Sequence, residues 1–173
     1  MSCIWITGLP GAGKSTLAKA IAEKVRSNGV NPIVLDGDDL RGALLHFQLG
    51  YEKEDRKRLA FFYAKLCKML SDQGHFVICA TVSMFDMVRD WNRENIQDYY
   101  EVFLDVPLEI LKIRNQKGLY SLSGKFSGGR VPGMEGEIEF PKSSDFVVAG
   151  ENQPDIFSLA EDIIGYMRGG NEN

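Results

Sequence analysis

"GLPGAGKST", residues Gly8 to Thr16, decides the fold. The apolar run "CIWIT" (3–7) precedes it, and a stretch with helical spacing from Lys14 to Arg26 follows it. Gly8, Gly13, Lys14 and Ser15 satisfy G-x-x-x-x-G-K-[ST] in the strand-then-helix setting that this pattern requires. Glycines let the chain curl so that successive N–H groups face inward, and the helix N-terminus adds partial positive charge. Gly8, Gly11, Ala12, Gly13, Lys14, Ser15 and Thr16 are therefore expected to cradle the phosphates of ATP. Lys14 should reach the β- and γ-phosphates as a catalytic group, and the Ser15 hydroxyl should ligate Mg²⁺.

Outward from this loop, further short apolar runs follow: "PIVLD" (32–36), "FVICAT" (76–81), "YEVFLDV" (100–106) and "DFVVA" (145–149). They are rich in β-branched and aromatic residues and apolar almost throughout, as in strands buried on both faces. Helical spacing fills the intervals. Glu54–Asp72 places Leu59, Phe62, Tyr63, Leu66, Met69 and Leu70 along one stripe. Shorter helices are expected over 84–96 and 108–114, and a last one over 155–167 with Pro154 near its first turn. Strand alternating with helix predicts an α/β, three-layer P-loop kinase fold: a five-stranded parallel sheet with helices on both faces. Residues 115–143, rich in Gly, Ser and charge, break the rhythm and read as a lid over an active site. The whole of 1–173 reads as one domain.

Composition narrows the partners. Apolar residues make up 44% and charged residues 25%, the balance of an ordinary globular chain. A net charge of −4 leaves no dominant basic surface, which argues against long nucleic acid and leaves small anionic ligands. Cys3, Cys67 and Cys79 are too few and too scattered for a disulfide framework or a CxxC metal pair, and read as reduced thiols. With no signal peptide and no run long enough to span a membrane, the expected location is cytoplasmic.

"LDGDDLR" (35–41) closes the second strand run with three carboxylates and an arginine. In sheets of this kind the second strand is expected beside the first, which would aim Asp36 and Asp38 at the γ-phosphate. One would hold Mg²⁺ or its water, and the other would take a proton from an attacking hydroxyl. Helix N-capping is the competing reading, stronger for Asp39 than for Asp36 or Asp38. The chain lacks an N-K-x-D guanine motif, and "FVICAT" ends without the aspartate of a usual Walker B. What remains is a small phosphotransferase. Arg41, Arg56, Arg58, Arg89 and Arg93 are candidates for the acceptor's anionic groups, Arg41 and Arg56 foremost.

In order, "GLPGAGKSTLA", "VLDGDDLR", "LGYEKEDR", "EVFLDVPLEILKIRNQKGLY" and "EFP" resemble the adenylylsulfate kinases over roughly residues 2–150. The resemblance implies transfer of the γ-phosphate of ATP to the ribose 3′-hydroxyl of adenosine 5′-phosphosulfate, with Mg²⁺ as cofactor and a homodimer as the common assembly. It assigns Asp38 as base or metal-water anchor, so that Ser15 and Asp38 form the metal set. Asp36, Arg41 and Arg56 then lie on the substrate side, and Tyr51 stacks on the base. Val82 and Ser83 match the "I-S" of an "I-S-P" loop, Lys117 a lysine at the lid hinge, Val131 a wall of the base pocket, and Arg114 the donor side.

The chain departs from that pattern on the acceptor side only. Leu59 stands where the family writes a substrate-holding Asn, Val131 where it writes an adenine-covering Phe, Met84 where it writes Pro, and Asn115 follows Arg114 where it writes Asp. Loss of one stacking face weakens base binding by roughly 1–3 kcal/mol. Two acceptors therefore compete: adenosine 5′-phosphosulfate by family default, and cytidine diphosphoramidate, the substrate of relatives that build capsular phosphoramidate. A sugar or antibiotic kinase and a non-catalytic nucleotide-binding module are weaker readings, since Tyr51 with two arginines suits a flat base with an anionic tail, and Lys14, Ser15 and Asp38 are all present.

Overall fold

The computed structural model describes residues 2–44, 50, 52–114, 138–149 and 155–169. Eleven elements follow in chain order: β1 (Cys3–Gly8), α1 (Lys14–Ser27), β2 (Ile33–Asp36), α2 (Gly37–Ala43), α3 (Lys53–Asp72), β3 (Val77–Ala80), α4 (Asp86–Asn95), β4 (Tyr99–Asp105), α5 (Leu108–Arg114), β5 (Phe146–Ala149) and α6 (Ile156–Gly169). The strands form one sheet in the order β2-β3-β1-β4-β5, with every pairing parallel. All five therefore end on the same edge, where open parallel sheets place their ligands.

Alternation along β1 divides the interior in two. Ile4 and Ile6 point into a cluster with Leu17, Ile21, Ile78, Val102 and Ile163, which seats α1 and α6. Cys3 and Trp5 point into a second cluster with Tyr63, Cys67, Cys79 and Val88, which seats α3 and α4. Each fully buried Leu or Ile contributes roughly 1.5–3 kcal/mol. The three thiols are buried and free, and a hydrogen bond to Cys67, with burial second, pushes the Cys3 thiol up. Among the described residues no helix is long and apolar enough to cross a membrane.

Four expectations need correction. β2 does not lie beside β1: β3 intervenes, with Ile6 and Asp36 both in register with Ala80. Only β1, β3 and β4 are buried throughout most of their length, because β2 and β5 are the two edges and expose residues such as Val34 and Val147. The stripe expected on α3 holds at Leu59 and Tyr63 but is shifted: Phe62 and Met69 face outward, while Ala60, Ala64 and Cys67 are buried with Leu59 and Tyr63. Small Ala and Cys side chains let the helix approach closely, so they take the inner face from bulkier neighbours. Finally, α2 was not foreseen. "DGDDLR" extends no strand beyond Asp36, whose side chain caps the new helix by accepting from the Asp38 N–H at 2.9 Å, the role expected sooner of Asp39.

Candidate active site

The turn after β1 carries the donor side. Gly8 sits at φ +152, and a Cβ there would lie 2.8 Å from the Leu104 carbonyl oxygen on β4. Gly13, at φ +101, is the N-cap of α1 and supplies no side-chain cap. The first turn of α1 holds no acidic residue, unlike those of α2 and α3. The leading N–H groups and their partial positive charge are thus left for an external anion. Lys14 curls back over the turn and donates to the carbonyls of Gly8 and Leu9, each at 2.9 Å. Burial pushes its ammonium from 10.5 down to about 8, against the opposing pull of Asp38 and, less strongly, Asp36. Ser15 and Thr16 are exposed beside it, and Ala12 is buried against the interior.

Two carboxylates face this turn from the end of β2. The Ser15 hydroxyl donates to Asp36 Oδ2 at 2.5 Å, reaching across β3. Asp36 thus holds Ser15 with one oxygen and the start of α2 with the other. Asp38, one turn position further on, is exposed, and its charge is felt at Lys14. The close approach of β2 and β3 relies on Gly37, where a Cβ would lie 3.2 Å from the Thr81 hydroxyl and 3.3 Å from the Ala80 carbonyl. Tyr63 reinforces the same spot by donating to the Gly37 carbonyl at 3.0 Å, and its phenol is pushed up by burial.

The loop after β3 follows the strand that separates β1 from β2. Thr7 donates to the Val82 carbonyl at 2.7 Å, and the hydroxyls of Thr81 and Ser83 share a 2.7 Å hydrogen bond. Val82 and Ser83 are thereby tied to the end of the strand that launches the phosphate turn. Arg56 lies with its guanidinium 5.9 Å from the ring centre of Phe85, the N-cap of α4. Arg41, on the last turn of α2, donates to the Gly50 carbonyl. Arg114 is the exposed last residue of α5, which follows the carboxyl end of β4.

The sequence candidates thus divide into three groups. Gly8, Gly11, Ala12, Gly13, Lys14, Ser15, Thr16, Asp36 and Asp38 gather around the turn after β1, and Val82 and Ser83 adjoin them through Thr7. Arg89 and Arg93 are instead engaged in ion pairs with Asp86, Glu101 and Asp145, and Arg58 pairs with Asp55 at 3.8 Å on the surface of α3. Tyr51, Lys117 and Val131 lie outside the described residues, as does most of the 115–143 lid. Its final part is described and does not stand apart: Glu139 donates its N–H to the Met84 carbonyl at 3.2 Å, and residues 143–145 bond to α4 and β4. Leu59 is only 6% exposed, within the second apolar cluster. Thr7, Thr81, Tyr63 and Gly37 were not among the site residues expected from the sequence. For Thr7 and Thr81 the available signal was a hydroxyl at the end of an otherwise apolar run.

A phosphate-binding turn at the carboxyl edge of this sheet, with a lysine inside it and paired carboxylates facing it, places the molecule among the P-loop phosphotransferases. The comparison with known proteins narrows the class. Residues 1–149 match the family model described as adenylylsulphate kinase. The chain is 37% identical to the cytidine diphosphoramidate kinase of Campylobacter jejuni over 161 residues, 93% of both chains. It is 38% identical to a probable adenylyl-sulfate kinase of Archaeoglobus fulgidus over 147 residues, 84% of this chain and 93% of the relative. In structure it resembles the Mycobacterium tuberculosis APS kinase solved in complex with AMPPNP and APS, at a TM-score of 0.83 and 30% identity, covering 96% of this chain and 97% of the other. The chain belongs to the adenylylsulphate kinase family, and it is a phosphotransferase.

Proposed function

We propose that this enzyme transfers the γ-phosphate of ATP to the ribose 3′-hydroxyl of a small anionic nucleotide, and that the acceptor is cytidine diphosphoramidate. The observation that carries the transfer is the meeting of Lys14, Ser15 and Asp36 at one turn. Main-chain N–H groups of residues 8–16 hold the β- and γ-phosphates, and Lys14 exchanges its two carbonyl partners for phosphate oxygens. A hydroxyl and a carboxylate 2.5 Å apart form a hard-oxygen donor pair, which fits Mg²⁺. Ser15 would hold the ion directly and Asp36 would hold it or its water, so this reading moves the carboxylate share of the metal set from Asp38 to Asp36. When bound, the ion would supply positive charge that offsets the negative charge developing on the phosphate. Asp38, exposed and held on the first turn of α2, is then left to accept the proton of the attacking hydroxyl. Arg41 and Arg56 take the acceptor's anionic tail, and Tyr51 its base.

Two observations support the cytidylyl compound. The relative that phosphorylates it matches across 93% of both chains. Leu59, at the position of the substrate-holding asparagine, belongs to the apolar interior of α3 and offers no polar group to an acceptor. The second reading, adenosine 5′-phosphosulfate, is favoured by the family model and by the tuberculosis structure that holds APS. An ADP-release assay with ATP and Mg²⁺ should offer both acceptors in parallel over a concentration range. The expected result is a higher kcat/KM for cytidine diphosphoramidate. The reverse order would return the acceptor to adenosine 5′-phosphosulfate, and no turnover of either would remove the nucleotide 3′-hydroxyl as the target.

A further inference from the structure

Glu101 lies on β4 with only 2% of its surface exposed, and Arg89 on α4 is 4% exposed. Burying charges is costly, and apolar residues of similar volume would often serve stability as well or better. What this cluster supplies is geometry. Ser144 donates to Glu101 Oε1 at 2.7 Å, and the Glu101 N–H donates to Asp145 at 2.7 Å. Arg93 pairs with Asp145 at 3.1 Å and donates to the Ser143 carbonyl at 2.8 Å. Arg89 stands 3.9 Å from Glu101, donates to the Asp86 carboxylate, and donates to the Glu139 carbonyl at 2.8 Å. Glu139 closes the ring, since its carboxylate accepts from the Asp86 N–H at 2.6 Å and its own N–H donates to Met84.

Those last contacts grip the loop that carries Val82 and Ser83. From the sheet side, Thr7 and Thr81 hold that loop. From the far side, Glu139 holds Met84 and Asp86, the residues that immediately follow Ser83 on the way into α4. We propose that Arg89 and Glu139 form a clasp between the 139–145 segment and this loop, and that they act as positioning residues for the acceptor nucleotide. The inference rests on the acceptor-side reading of Val82 and Ser83 given above. It makes Arg89, a candidate for direct contact with the acceptor's anionic groups, an indirect contributor: its Nη2 donates to Asp86 and to the Glu139 carbonyl, its Nε faces Glu101, and its Nη1 is buried without a hydrogen-bond partner among the described residues.

The test uses Glu139→Ala, Glu139→Gln and Arg89→Lys in the full chain, with both acceptors assayed and with hydrogen exchange followed at the Asp86 amide. Glu139→Ala should raise the acceptor KM about tenfold while kcat and the KM for ATP stay within about twofold. Exchange at Asp86 should quicken at least about tenfold. Glu139→Gln retains an acceptor oxygen and should restore most of the wild-type KM. Arg89→Lys keeps the charge opposite Glu101 but loses the fork, and should show a smaller rise in the same KM. Unchanged exchange at Asp86 would show that Glu139 does not hold the loop. Faster exchange with an unchanged acceptor KM, or equal losses for acceptor and ATP, would overturn the positioning role. A wild-type enzyme that turns over neither nucleotide would refute the acceptor reading and the positioning role with it, while the exchange data would still report whether the clasp exists.

Discussion

At the proposed donor end, the groups offered to a phosphate come from one nine-residue turn, Gly8 to Thr16, and most of them are main-chain N–H groups. At the proposed acceptor end, the groups come from α2, α3 and the loop after β3, most of them are side chains, and Glu139 only braces that loop. The first arrangement needs only local backbone shape, so few substitutions preserve it and its sequence pattern is narrow. The second depends on contacts between residues up to 75 positions apart, such as Thr7 and Val82. Side chains there can be exchanged without disturbing the turn. An enzyme built this way keeps its phosphoryl donor while its acceptor changes, which matches a family containing both adenylyl-sulfate kinases and a cytidine diphosphoramidate kinase.

Substitutions should separate the two ends, beginning with the largest effect. Lys14→Ala should lower kcat/KM by about 10³-fold or more with little change in melting temperature, since both hydrogen bonds of the ammonium go to carbonyls of its own turn. A loss of less than tenfold would mean that the donor end does not depend on it. Asp38→Asn should lower kcat about 10²-fold while the Kd for ATP stays within about twofold. Equal changes in both would move Asp38 to the binding side. Asp36→Asn retains an oxygen for the Asp38 N–H but loses a charge beside Ser15, so the Mg²⁺ concentration for half-maximal rate should rise about tenfold. A magnesium titration unchanged by Asp36→Asn but shifted by Asp38→Asn would restore the Ser15–Asp38 set.

Acidity offers a milder probe of the same contrast. Protonated Lys14 pairs with phosphate, so the ATP complex retains a proton that the free enzyme loses as pH rises through about 8. Affinity for ATP should therefore fall with rising pH, by about tenfold between pH 7 and 9. Isothermal titration with Lys14→Met should show this dependence abolished. The smallest effect on chemistry is expected from Leu59→Asn. An amide placed in the apolar cluster around Trp5 and Tyr63 should cost roughly 1–3 kcal/mol and lower the melting temperature by several degrees, without improving use of adenosine 5′-phosphosulfate. Improved use would show that position 59 reaches the acceptor.

The contrast also explains what could be read from the amino acids alone. The strand–turn–helix of residues 3–27 was legible because its pattern is local and its glycines have few alternatives. The position of β2 was not legible, since neighbours in a parallel sheet are chosen by crossovers rather than by adjacency in the chain. The inner face of α3 was misjudged because hydrophobicity alone favours Phe62 and Met69, whereas close packing favours Ala60, Ala64 and Cys67. Arg89 and Arg93 looked like anion ligands because a sequence shows a charge without showing Glu101 and Asp145, which face them.

The intervening β3 also sets a width. Neighbouring strands in a sheet stand about 4.8 Å apart. Two such steps separate the strand that launches the phosphate turn from the strand that ends in Asp36. The two strands thus stand about 10 Å apart, and the Ser15 and Asp36 side chains reach across that interval to meet at 2.5 Å. In the function proposed above, a triphosphate held at the turn after β1 and an acceptor brought in beside α2 would meet above that one intervening strand, where Ser15 and Asp36 already touch.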